Sequence, residues 1–76
     1  MIKDNLKRVI LDELGLEDWQ MDDETTAAEV PGWDSLSHAN VILAVEKAFG
    51  VRFSSVEALK LNSIGDLQRL LDAKLA

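Results

Sequence analysis

The sequence predicts an all-α fold: an irregular four-helix bundle of three longer helices and one short one. Three observations predict it. Apolar residues return every three or four positions in three stretches, about 2–14, 35–49 and 63–74. Glycines stand where the first two of these stretches stop, Gly15 and Gly50. No stretch alternates apolar and polar residues for long enough to make a strand.

In the first stretch Ile2, Leu6, Val9, Ile10 and Leu14 fall at i, i+4, i+7, i+8 and i+12, one face of a helix over about 2–14. Leu11 widens the stripe. Gly15 is the residue a left-handed stop favours, and Leu16 can fold back on the last turn. Residues 16–32 form a long connection with few apolar side chains: Leu16, Trp19, Met21, Ala27, Ala28 and Val30. A loop pinned by some of these is expected, with a helical turn near Thr26-Ala27-Ala28 and with Trp19 and Met21 reaching the core. Asp22-Asp23-Glu24 reads as a solvated acidic loop. It lacks the alternating acids and the glycine of a calcium loop. Pro31-Gly32 ends the connection.

The second helix is expected from Ser35 to Phe49. Leu36, Ala39, Ile42 or Leu43, Val45 and Phe49 recur at spacings of three and four, with Val41 and Ala44 on the flanks. A helix apolar over most of its circumference is central in a bundle or keeps surface for a partner. Val51-Arg52-Phe53 is a short extended link, with Phe53 expected to plug the core. Ser54 or Ser55 can cap a short helix over Val56-Glu57-Ala58-Leu59-Lys60. Ser63-Ile64-Gly65-Asp66 has the form of a capping box. Ile64, Leu67, Leu70, Leu71 and Leu75 then give the stripe of a last helix over about 63–74.

The 76 residues suffice for a single small domain, 1–76, with one core. Such a chain has little room for the enclosed cavity of a few hundred Å3 that small-molecule sites usually occupy, which argues against an independent enzyme. There is no cysteine, so no disulfide and no thiolate zinc site; a cytoplasmic setting fits. Residues 1–5 show no apolar run, so neither a leader nor a membrane span is expected. The net charge of −6 argues against nucleic acid. That excess lies in one place. Residues 17–29 hold six acids and no base, whereas 1–16 and 30–76 are each balanced.

The chain is organised around Gly32-Trp33-Asp34-Ser35-Leu36. Ser35 stands where the second helix begins, with an acid before it and a core-forming leucine after it. The first N–H groups of a helix lack intrahelical partners, and their dipoles favour a phosphate there. A phosphoryl group joined to the Ser35 hydroxyl would be held by the helix end.

These residues resemble the acyl carrier protein family, which includes peptidyl and other thiolation carriers. Support comes from Glu46-Lys47-Ala48-Phe49-Gly50-Val51-Arg52-Phe53 and from Asn62-Ser63-Ile64-Gly65-Asp66-Leu67, and the likeness spans about residues 2–75. The resemblance implies a four-helix carrier without catalytic activity of its own. Ser35 would be esterified by 4′-phosphopantetheine, transferred from coenzyme A by a phosphopantetheinyl transferase using magnesium. The arm's thiol would hold acyl or aminoacyl groups as thioesters. Further partners would be an acyl- or aminoacyl-activating enzyme and downstream transferases or synthases. Nucleic acid and membrane are not among them, and a monomer is expected.

Each neighbour carries a plainer reading as well. Ser35 could serve only as a helix N-cap. In the family the acid before the serine helps the modifying enzyme engage, which points to Asp34; Asp34 could equally cap the helix. Leu36 is family-like, yet packing alone would explain it. Trp33 either shields the loop–helix junction or touches a partner, with core packing the simpler role. His38, three residues past Ser35, invites a hydrolase triad with Asp34, but a triad needs an oriented base and an oxyanion site in a pocket. The plainer reading is a surface histidine beside the arm, available to a phosphate or a partner.

The second helix departs from the strongly acidic one of fatty-acid synthesis carriers. After Ser35 it holds one acid and one base, Glu46 and Lys47, so electrostatic steering is weak. Apolar positions such as Val41, Ala44 and Ala48 are then expected to matter for docking. A dedicated pathway making a secondary metabolite, a modified lipid or an aminoacylated product is expected. The alternative is an unmodified helical interaction module that uses the apolar face of the second helix.

Overall fold

Asp4–Leu14 forms helix α1 in the computed structural model, which describes residues 2–76. Met1, the first residue of the stretch read above for a leader, lies outside the described residues. Helix α2 spans Ser35–Phe49, α3 Ser55–Leu59 and α4 Ile64–Leu75, and a 3-10 turn occupies Ala27–Glu29. The helices thus number three longer and one short, with no strand among the described residues. No helix there is long and apolar enough to cross a membrane.

α1 buries Leu6, Ile10 and Leu11, the stripe its spacing foretells. Its end is a Schellman turn. Gly15 takes φ +71°, its N–H reaches the Asp12 carbonyl, and the Leu16 N–H reaches the Leu11 carbonyl at 2.9 Å. α1 packs on α2, and Leu6 and Ile10 meet Val41, Ile42 and Val45 in one core with Ile64, Leu67 and Leu71 of α4. Each such side chain contributes about 1.5–3 kcal/mol when taken from water. A buried polar group joins α1 to α4. The Gln68 side chain accepts the Lys3 N–H at 2.9 Å and donates to the Asp72 carboxylate at 2.9 Å, and Lys3 Nζ pairs with that carboxylate.

The long connection is fixed by its backbone as well as by its side chains. Leu16, Trp19 and Met21 pack against the core from its edge. Asp22 and Thr25 close a tight turn, with the Thr25 hydroxyl donating to Asp22 at 3.1 Å. From this turn the Thr25 carbonyl accepts the Ile64 N–H at 2.8 Å, and the Asp23 carbonyl accepts the Gly65 N–H at 3.1 Å. Ser63 Oγ takes the Asp66 N–H. The open donors at the start of α4 are therefore stoppered by protein.

α3 buries no residue. Ser54, not Ser55, caps it, in a reciprocal box with Glu57. Lys74 of α4 pairs with Glu57 at 2.9 Å and stands over the Phe53 ring. Phe53 packs on the rim of the core and does not fill it. Its N–H donates to the Glu46 carboxylate at 2.7 Å, which fixes the link between α2 and α3.

Candidate functional site

Val30-Pro31-Gly32-Trp33 makes a tight turn closed by the Trp33 N–H on the Val30 carbonyl at 3.2 Å. Pro31 suits its first corner, and Gly32 at φ +81° takes the left-handed second corner of a type II turn. The turn drives Trp33 into the core, where it is 9% exposed, and swings Asp34 outward. Of the two roles open to Trp33, it fills the core one; an indole this buried offers little surface to a partner.

Asp34 is the N-cap of α2. Its carboxylate accepts the Ser37 N–H at 2.9 Å and its carbonyl accepts the His38 N–H at 2.8 Å. The Ser37 N–H, helped by the Ser37 hydroxyl, holds the Asp34 carboxyl below the usual carboxylate range, so the group is ionised at neutral pH. The cap position is thus taken, and Ser35 occupies the first helical residue. The reading of Ser35 as the cap is overturned. Its side chain is exposed, and no hydrogen bond engages its hydroxyl among the described residues. α4 differs: besides its Ser63 cap, the 23–25 turn covers its first donors.

Leu36 corrects the sequence reading. It is 75% exposed beside Ser35 and forms no part of the core. Val41 is corrected in the other sense: it is fully buried against α1 and cannot serve as an exposed docking residue. The buried stripe of α2 runs through Val41, Ile42 and Val45, while Leu36, Ala39 and Leu43 face water. Periodicity misplaced the face because apolar residues lie nearly all round this helix. Of the other two expected docking positions, Ala48 is exposed and Ala44 half-buried.

His38 is half-buried, and both ring nitrogens are engaged. The Trp33 indole N–H donates to Nδ1 at 3.1 Å, and the rings stack with centroids 6.0 Å apart. An indole nitrogen only donates, so Nδ1 accepts and the ring proton sits on Nε2. Nε2 then donates to the Ala58 carbonyl of α3 at 3.1 Å. A ring committed this way is not a general base for Ser35, which overturns the triad. It is equally not a free surface histidine. Three contacts escape sequence reasoning: the Ala58 carbonyl on His38, Glu46 on the α2–α3 link, and the 23–25 turn on α4. All three need a backbone group or a distant loop that no local pattern reports.

An exposed, uncommitted hydroxyl on the first residue of a helix fits a phosphodiester-linked arm. Comparison with known proteins agrees. The family model described as the phosphopantetheine attachment site matches residues 4–71. The solution NMR structure of the holo acyl carrier protein from Geobacter metallireducens has 35% sequence identity and a TM-score of 0.88, covering 95% of this chain and 83% of that one. The chain belongs to the acyl carrier protein family, the carriers to which 4′-phosphopantetheine is covalently attached.

Proposed function

We propose that Ser35 is the attachment residue and that residues 1–76 act as a carrier domain for acyl or aminoacyl groups. One observation carries this: Asp34 caps α2, which leaves the Ser35 hydroxyl exposed and unengaged at the helix mouth. When bound, 4′-phosphopantetheine supplies the thiol that the cysteine-free chain lacks, and with it thioester chemistry. Ser35 supplies the ester oxygen. The dipole of α2 favours a phosphate at its start, and the ionised Asp34 beside it offers a phosphopantetheinyl transferase a fixed negative charge. The Gly32 turn and the Trp33 anchor hold these two residues on rigid structure.

The pathway is a dedicated one, with an acyl- or aminoacyl-activating enzyme loading the arm and transferases or synthases unloading it. Support lies in the weak field of α2. Its only acid after Ser35 is Glu46, and that carboxylate is spent on the Phe53 N–H. Docking then rests on Leu36 and other exposed apolar groups in place of charge. The working form is a cytoplasmic monomer.

Incubation with coenzyme A, magnesium and a broad-specificity phosphopantetheinyl transferase tests the attachment. Intact mass should rise by one arm in the wild type and stay unchanged in Ser35→Ala. A wild type that gains nothing, or a gain that survives the substitution, rejects it.

A further inference from the structure

We infer that Trp33 and His38 bar the bundle interior to the cargo, which therefore rides outside the helices. The inference rests on attachment at Ser35. Trp33 and His38 line a cavity of only about 20 Å3, together with Asn62, Ser63, Ile64 and Leu67. A single water needs roughly 10–15 Å3, so the cavity takes one small group and no alkyl chain. Its walls are mostly apolar, with Asn62 and Ser63 among them, so size and not polarity excludes a chain.

The closure is fixed from three sides. The indole lies in the core and is 9% exposed. Its N–H is held by His38 Nδ1, and the far nitrogen of that ring is held by the Ala58 carbonyl. One run of contacts thus joins the loop, α2 and α3 over the cavity. Even when α3 lets go of His38, a chain entering between α2 and α3 must break the Trp33–His38 hydrogen bond and lift the indole out of its place on Ile64 and Leu67, which are 1% exposed. A long alkyl group left in water forgoes the stabilisation that burial gives each methylene. The cargo class that suits this carrier is short or polar: a small acyl or an aminoacyl group.

The test loads the protein with acetyl- or octanoyl-phosphopantetheine from the matching acyl-coenzyme A, with intact mass confirming one arm. Thermal unfolding and the amide resonances of Ile64 and Leu67 are then compared. In the wild type the two loaded forms should melt within about 2 °C of each other, with those resonances unmoved. In Trp33→Ala the octanoyl form should melt about 5 °C or more above the acetyl form, because the emptied space shelters the chain in the folded state alone. Trp33→Leu serves the same comparison should the alanine variant not fold. An octanoyl wild type that melts about 5 °C above its acetyl form overturns the inference. So does a folded Trp33 variant that gains nothing from octanoyl. A missing mass gain instead strikes the attachment at Ser35 and removes this inference with it.

Discussion

The Gly65 N–H donates to the Asp23 carbonyl at 3.1 Å, and a β-carbon on Gly65 would lie 2.5 Å from that same oxygen. The turn at 22–25 and the start of α4 therefore meet backbone to backbone. Gly65→Ala adds helix propensity of about 0.5–1 kcal/mol but forces the turn away, at about 1–3 kcal/mol. The expected result is a net loss, read as a lower Tm together with faster exchange of the Ile64 and Gly65 amides. A variant that keeps both at wild-type values contradicts this contact.

Gly32→Ala should destabilise for a different reason. Nothing lies within 4 Å of a β-carbon there, so crowding plays no part. The cost is that of an L-residue at φ +81°, about 1–2 kcal/mol. Gly32→Asn, which tolerates the left-handed region better, should recover part of the Tm.

Asp34 combines a cap and a charge, and two substitutions separate them. Asp34→Asn keeps an oxygen for the Ser37 N–H and should melt near the wild type. Asp34→Ala removes the cap and should melt lower. If the charge serves the transferase, both should be modified roughly tenfold more slowly, the scale of one charge-assisted contact. An asparagine variant modified at the wild-type rate would leave Asp34 with capping alone.

Trp33 and His38 should behave as a coupled pair. Trp33→Phe keeps a ring but removes the donor to Nδ1, and His38→Ala removes the ring between Trp33 and Ala58. A double-mutant cycle on Tm or denaturant unfolding should give a coupling of about 1 kcal/mol. Additive losses would mean that the 3.1 Å contact carries no energy.

Acid should unfold the domain through its helix caps and cross-links. Four carboxyls are held below their ordinary range: Asp34 by the Ser37 N–H, Glu57 by Lys74, Asp66 by the Asn62 N–H and Asp72 by the Gln68 amide. A folded-state pKa below the unfolded one means stability present above the unfolded pKa and lost as pH falls through the folded one. Tm should hold between pH 7 and about 5 and fall below about pH 4. All four groups meet solvent, so the fall should be gradual. A Tm unchanged down to pH 3 would contradict these shifts.

Much of this architecture can be read from local pattern. The 3.6-residue spacing in α1 and α4, the stops at Gly15 and Gly50 and the box at Ser63 are local, and the structure has them. Leu36 and Val41 exchanged places because α2 is apolar on nearly every side, so only its contact with α1 decides which stripe is inside. The place of Ser35 at the helix start follows from its neighbours. Its release from capping does not, since Asp34 and Ser35 are both good caps and three-dimensional placement chooses between them. His38 was the least legible. Its two partners are an indole five residues back and a carbonyl twenty residues on.

α3 has five residues, none buried, and is held by Glu57, Ala58 and the Ser54 cap. Few apolar contacts oppose its opening, whereas α1, α2 and α4 share one core. It should therefore unfold by itself in brief excursions that leave the other three helices standing. The molecule then has two melting thresholds, a shallow one beside the Ser35 face and a deep one for the remainder. Amide exchange should resolve them as separate free energies.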